Sequence, residues 1–324
     1  YQHKGVEQRF IGMDIERGAK LIGRISGDST CAYAWAYAVA VESACGVEPP
    51  PRALGLRALM LERERVANHL GDLGMLGNDA AFGFGLTQFF KLKEDWVRLS
   101  HQAFGHRFMM DCIVPGGVAA NPDAALRSAM ADQCDAIERE VRELKTLYDE
   151  HAGLQDRFLT TGTINDALAQ ELSLTGIAAR ATGMLLDGRA WRQDYEPPVP
   201  YAGLGVRPVS DMRGDVAARA AVRFAEVFES LRLIRKLVAG MPGGSARAKV
   251  APRAGKGLGV IEGWRGEVLV GVDLDAEGRI LRAHPHDPSW QVWPALEHAV
   301  MKDIVPDFPL INKSFNLSYS GQDI

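Results

Sequence analysis

The stretch from Asn121 to Glu150, NPDAALRSAMADQCDAIEREVRELKTLYDE, decides the fold. Its apolar residues Leu126, Met130, Cys134, Ile137, Val141, Leu144 and Tyr148 recur at steps of four and three, so they share one face of a helix and leave the charges on the other. A single apolar stripe on so long a helix marks a member of an antiparallel bundle, and Asn121-Pro122 marks its start.

Working outward, the same period recurs on both sides. Ser26, Asp28 and Ser29 precede an apolar run through Val41 that stops at Gly46, which predicts a helix whose first amides are capped by Asp28 and Ser29. Pro49 to Pro51 open a second helix through Leu54, Leu59, Val66 and Leu70, with Glu62 to Arg65 read as a solvated face holding at most one buried exception. A third runs from about Leu86 to Met110. After Ser210 and Asp211 a further long helix carries Val216, Ala220, Phe224, Val227, Leu231, Ile234 and Val238 and stops at Gly240. Between these, Thr160 to Arg207 is broken by glycines and by Pro197, Pro198 and Pro200, predicting short helices and a long ordered loop.

From Leu258 the period changes to two. Val268, Val270, Val272 and Leu274 lead into the turn Asp275-Ala276-Glu277-Gly278 and a second strand at Arg279 to Ala283, which predicts a small β-hairpin. A helix over Pro294 to Met301 and an irregular tail complete the chain. The expectation is an α+β, predominantly α-helical fold in one domain over residues 1–324, with a long-helix bundle core at about 28–240 and a β-hairpin and C-terminal cavity segment at about 258–324.

Composition bounds the function. With 47% hydrophobic and 24% charged residues the chain has what a folded core needs, and a net charge of −4 gives no footprint for nucleic acid or an anionic membrane surface. No apolar run reaches the roughly 18 residues that span a bilayer. The first residue is Tyr1, so the chain is expected to be a fragment of a longer polypeptide. Cys31, Cys45, Cys112 and Cys134 form no C-x-x-C pair and read as reduced, buried thiols. His69 reads as a core histidine, and His284-x-His286 as two rings on one strand face without further ligands. The glycines at 240–244 and 255–259 lack the strand-to-helix context of a phosphate loop.

Four stretches carry chemistry together: His3-Lys4-Gly5-Val6-Glu7, Arg24-Ile25-Ser26-Gly27-Asp28-Ser29, Glu262-Gly263-Trp264-Arg265-Gly266-Glu267, and Ser314 to Gly321. In order and spacing they resemble the large subunits of membrane-bound group 4 nickel–iron hydrogenases, hydrogenase-4 among them, and the 49 kDa-type subunit of complex I, the NADH-quinone oxidoreductase, over essentially the whole chain. Against the hydrogenase loop R-x-C-G-x-C, Ser26 and Ser29 stand where the cysteines stand. Against the ending S-x-D-P-C-x-x-C, Ser318 and Gly321 do. Nickel and low-spin iron need soft thiolate ligands, which a hydroxyl or a glycine cannot replace. The chain is therefore expected to hold no metal and not to be an active hydrogenase.

The resemblance implies the rest. In complex I the homologous subunit lacks the cysteines and helps form a quinone headgroup site beside a small iron–sulfur subunit, while NAD, a family-level association, binds elsewhere. By this resemblance the chain is an oxidoreductase subunit that binds no cofactor itself. Its substrate would be a quinone or another two-electron acceptor, and its partners an Fe–S cluster subunit and antiporter-like or anchor membrane subunits. It would lie peripherally on the cytoplasmic side of the inner membrane. A non-catalytic scaffold that passes conformational change to the membrane arm is the alternative. Two departures stand out: the family's quinone-contacting histidine would lie upstream of Tyr1, and its paired tyrosine has no counterpart around Leu21 to Gly23.

The candidate site comprises His3, Glu7, Arg24, Ser26, Asp28, Ser29, Tyr33, Arg265, Glu267, Ser318 and Gly321. Arg24 is expected beside the former metal cavity. Tyr33 is either a packed core tyrosine or a donor to a ligand oxygen. Arg265 and Glu267 form part of a proton path or an ion pair fixing the loop, with Gly266 making the turn and Asp287 in the same wall or turning the chain before Pro288. An acceptor site predicts an open polar passage to Ser26, Tyr33 and Ser318, whereas a scaffold predicts an apolar fill by Phe315 and Leu317.

Overall fold

The computed structural model describes residues 3–190 and 200–324, so Pro197 and Pro198 of the expected loop lie outside the described residues. Around them short helices form at Asp166–Glu171, Gly176–Arg180 and Tyr201–Leu204. Among the described residues five long helices form the body: α1 (Thr30–Cys45), α2 (Pro51–Asp79), α3 (Gly83–Phe104), α4 (Ala124–Glu150) and α5 (Val216–Ala239).

The stripe on α4 is buried as expected from Met130 to Tyr148, with Leu126 half-buried. Its cap is Asp123, whose carboxylate accepts the Leu126 amide at 2.8 Å, so the helix starts just beyond Asn121-Pro122. Likewise Asp215 caps α5 by accepting the Ala218 amide at 2.7 Å. Helix α3 stops earlier than Met110 because Gly105 turns to φ 78°, a left-handed conformation open to glycine.

Helix α2 departs most from expectation. Glu62, Arg63, Glu64 and Arg65 are all buried, not a solvated face with one exception. The helix is the central rod, packed against α3 and α5, with α1 crossing nearby, and no side of it is left for solvent along this stretch. Charges there are retained because each finds partners on a neighbouring element.

The expected hairpin is a three-stranded antiparallel sheet, β1 (Gly255–Glu262), β2 (Glu267–Leu274) and β3 (Ile280–His286), with β2 in the middle. Strand β1 was hidden by its glycines. Gly255, Gly257 and Gly259 alternate on the face turned to α1, where a Cβ would come within 2.4, 1.9 and 1.9 Å of the carbonyl oxygens of Ala44, Ala40 and Ala36. Two strand residues advance about 6.7 Å and four helix residues about 6 Å, so a glycine ladder on the strand stays in step with an alanine ladder on the helix. The same contact explains why α1 is Ala-rich and buried on nearly every side.

The tail is not irregular. A helix spans Ser289–Ala299 with Pro294 inside it, starting before Pro294 because the Asp287 carboxylate accepts the Ser289 amide at 2.8 Å. Helices at Phe308–Phe315 and Tyr319–Gln322 follow, separated by Asn316 in the left-handed region. This turn carries the last motif back against the first.

Candidate functional site

The loop before α1 and the last helix of the chain meet. Ser26 Oγ donates to Asp28 Oδ1 at 2.8 Å, and Ser26 Oγ and Ser318 Oγ are also 2.8 Å apart. Since Ser26 has one proton and gives it to the carboxylate, Ser318 donates to Ser26; this assignment follows from donor inventory. Ser318 Oγ in turn accepts the Gly321 amide at 2.8 Å, and the Ser318 amide donates to Ser289 Oγ at 2.9 Å. Two positions 292 residues apart in sequence thus share one hydrogen bond.

Arg265 closes the cluster from the β1–β2 turn, where Gly266 adopts φ 147°. Its Nη1 and Nη2 donate to Asp28 Oδ1 and Oδ2 at 2.9 and 2.5 Å, Nη1 also reaches Ser29 Oγ at 3.1 Å, and Nε donates to the Asn316 carbonyl at 2.6 Å. Its guanidinium lies 4.0 Å over the Trp264 ring. Burial works to raise the Asp28 carboxyl, but the Arg265 charge and the Arg265 and Ser26 hydrogen bonds hold it below the usual carboxylate range.

Beside Ser318 lies a second pair. Tyr33 Oη donates to Asp287 Oδ2 at 2.6 Å, and burial together with the neighbouring Asp287 charge pushes the phenol well above its ordinary pKa, so it stays a neutral donor. A Cβ at Gly321 would fall 2.3 Å from that same Oδ2. The Asp287 carboxylate therefore fills the space a side chain at position 321 would need. Hydroxyls in mutual hydrogen bonds and a glycine blocked by a carboxylate do not fit a nickel–iron centre.

Ser26, Tyr33 and Ser318 are 3%, 0% and 6% exposed, so among the described residues no open passage reaches them. Phe315 and Leu317, the apolar groups a scaffold would use, are both buried in the hydrophobic core, Phe315 under the Arg219 guanidinium at 4.1 Å, while the Ser26 and Ser318 hydroxyls bond each other and Asp28.

The other candidates sit elsewhere. Arg24 points away to the surface, where its two terminal nitrogens bond Asp111 at 2.6 and 2.7 Å, so the structure does not bring it to the cluster. Glu7 pairs with His284 on β3, and both His284 and His286 rings stack edgewise on Trp290, on one face as expected. His3 is exposed. Glu267 pairs in strand register with Glu262, not with Arg265, whose ion-pair partner is Asp28.

Three participants escaped the sequence reading. Lys4 Nζ donates to the Ile25 carbonyl at 3.1 Å and to Ser320 Oγ at 2.8 Å, pinning the serine loop to the C-terminal segment. Asp72 accepts from Asn316 Nδ2 at 2.7 Å, Lys313 Nζ at 3.2 Å and Arg223 Nε at 3.0 Å. Glu64, not Asp28 or Ser29, caps α1: its carboxylate oxygens accept the Cys31 and Ala32 amides at 2.6 and 3.2 Å. The H-K-G-V-E motif was a signal for Lys4; nothing in the local spacing singled out the other two.

Burial pushes the Glu64 carboxyl up to about 8, against the pull of those amides and with the help of Asp28. A carboxyl raised on folding favours the native state fully only below its unfolded pKa of about 4.3, and that contribution is lost as pH rises toward 8. Thermal melts from pH 5 to 8 should accordingly show a steeper loss of Tm for the unmodified chain than for Glu64→Gln. Parallel curves would mean that Glu64 is ionised throughout.

Beneath the cluster, α2 and α5 run antiparallel and meet in polar rungs. Glu62 accepts from Ser230 Oγ at 2.6 Å, Arg65 and His69 both reach Glu226, at 3.2 and 2.8 Å, and Asp72 meets Arg223. Arg180 joins Glu226 at 2.6 Å and Glu262 at 2.9 Å, and Arg189 joins Glu62 to Asp187. Arg65 also donates to the carbonyls of Glu262 and Gly263 at 2.7 and 3.0 Å, so the ladder holds the turn that presents Arg265.

Residues 79–254 match the family described as respiratory-chain NADH dehydrogenase, 49 Kd subunit. Formate hydrogenlyase subunit 5 of Escherichia coli (strain K12) is 28% identical over 334 residues, which take in 100% of this chain and 57% of that protein, so the chain spans little more than half of that relative. An NADH-quinone oxidoreductase subunit of Desulfitobacterium hafniense (strain Y51) is 30% identical over 279 residues, covering 83% of this chain and 72% of its own length. A chain of the membrane-bound sulfane sulfur reductase, an archaeal respiratory membrane complex, superposes with a TM-score of 0.92 at 24% identity, covering 100% of this chain and 89% of that one, which shows a common fold.

Proposed function

This chain belongs to the respiratory-chain NADH dehydrogenase 49 Kd subunit family, and on that premise we propose that it is the metal-free large subunit of a membrane-associated respiratory or energy-converting oxidoreductase complex. In this reading it shapes a polar site for a quinone or another two-electron acceptor, beside an iron–sulfur cluster in a partner subunit, and is not an active hydrogenase. The observation that carries the reading is the meeting of Ser26, Ser29, Ser318 and Arg265 around Asp28, where the resemblance places a metal.

The residues divide the work. Arg265 holds Asp28 ionised, and Asp28 fixes the serine hydroxyls in one donor order. Tyr33, neutral and aimed at Asp287, supplies a proton-bearing group in the same wall. No helix among the described residues is long and apolar enough to cross a membrane. In this reading the subunit lies peripherally on the cytoplasmic face, reached through anchor or antiporter-like subunits.

The test follows reoxidation of the partner cluster by quinone in the purified complex. Ser318→Leu puts an apolar group against Ser26 and should slow reoxidation by roughly 10- to 100-fold. Arg24→Ala, which disturbs the exposed pair with Asp111 and a bond to the Lys20 carbonyl, both away from the cluster, should leave it unchanged. Equal rates in both variants and the unmodified complex would remove the acceptor site. They would favour the second reading, a scaffold subunit, which the direct Ser26–Ser318 bond supports because it leaves no gap between the two hydroxyls.

A further inference from the structure

Between the third and fourth rungs of the ladder two buried nitrogens lack partners. His69 Nδ1 and Arg223 Nη2 make no hydrogen bond among the described residues, although both side chains are 0% exposed. The two groups are neighbours by construction. His69 and Asp72 lie three residues apart on α2, Arg223 and Glu226 three apart on α5, and each pair is joined across the helices, so the rungs are separated by about 4.5 Å of helix rise.

The chemistry at each end is fixed by its other partners. His69 Nε2 faces Glu226 Oε2 at 2.8 Å, and a carboxylate only accepts, so Nε2 carries the proton. If the ring is neutral, Nδ1 is a bare lone pair that accepts. Burial works against the charged ring, with Arg65 and Arg223 adding to it, and outweighs Glu226. The edge of the ring meets Trp264, which offers no acceptor in the ring plane. Arg223 Nη2 can only donate. The Arg223 charge acts on His69 from the adjacent rung, and an acceptor and a donor so placed inside a protein, each unsatisfied, call for an ordered water.

We infer that one buried water sits between Arg223 and His69, accepting from Nη2 and donating to Nδ1, and that it joins the Asp72 rung to the Glu226 ion network. Asp72 is bonded to the Asn316 side chain, and the Asn316 carbonyl holds Arg265, so this water links the serine cluster to the interior charges of Arg65, Arg180 and Glu62. The link holds whatever the serine cluster binds.

Two measurements on the unmodified full chain test it, and neither depends on a variant that folds. A map of the chain in its native assembly, at a resolution that shows ordered water, should place one water within hydrogen-bond distance of both nitrogens. Nitrogen-15 shifts of the labelled histidines at neutral pH should show His69 protonated at Nε2 only, with a hydrogen-bonded Nδ1. An empty gap, a direct contact between the two side chains, or a proton on Nδ1 would overturn the inference.

Discussion

Glu226→Ala should lower the free energy of unfolding by about 3–5 kcal/mol, the cost of removing one partner from a fully buried ion network. Glu226 is 0% exposed and meets Arg180, Arg65 and His69 within 3.2 Å. Burial disfavours its charge, yet Arg180, His69 and Arg65 hold the carboxyl well below its usual range. Without it two fully buried guanidinium groups are left without their main counter-charge. Denaturant titration of the unmodified chain and the variant gives the difference directly. An exposed pair such as Arg98–Glu94 serves as the control, because ion pairs screened by solvent contribute little. Equal losses at the two sites would mean that the ladder is hydrated and weak.

Gly259→Val is the second large effect. Its Cβ would lie 1.9 Å from the Ala36 carbonyl oxygen, a backbone atom that moves only if α1 and the sheet part. Overpacking of this kind costs typically about 1–3 kcal/mol, and more where the obstacle is main chain, so a loss of at least about 3 kcal/mol is expected. Gly271, on the neighbouring strand β2, has open space where its Cβ would go, and Gly271→Val should be nearly neutral in the same titration. If both substitutions cost the same, the helix–strand contact does not set the effect, since β-propensity favours valine at both positions.

These two positions show how much of the molecule its sequence disclosed. The long helices were legible because apolar period and stop residues agree, as at Met130 to Tyr148 and at Gly46. Strand β1 was not, because the same glycines that remove a local strand signal are what let its backbone lie on α1. Glu62 to Arg65 were misread for a related reason. A charge run is ordinarily solvated, and its burial shows only when α5 is laid beside it, with Arg219, Arg223, Glu226 and Ser230 at steps of four, three and four matching Glu62, Arg65, His69 and Asp72 at three, four and three.

The site divides the same way. Ser26, Asp28, Ser29, Arg265, Ser318 and Gly321 were found from motif order and do converge, while Tyr33 was left between two readings and proves to be both packed and hydrogen-bonded. Arg24 shares the motif but not the cluster: its guanidinium pairs with Asp111 at the surface. Asp287 was read either as part of the same wall or as a turn residue, and what it does there, filling the space at Gly321, shows only in the fold; Asp72 was beyond reach because its importance lies in the Asn316 and Arg223 donors it meets across the fold.

The proposed function has this family fold working without a metal of its own, with hydroxyls and the Asp287 carboxylate where the resemblance puts metal ligands. Elemental analysis of the isolated complex, normalised to this chain and corrected for the iron of any cluster-bearing partner, tests it most directly. Nickel at background with no iron assignable to this chain is the predicted result. One nickel per chain, retained through gel filtration, would contradict it.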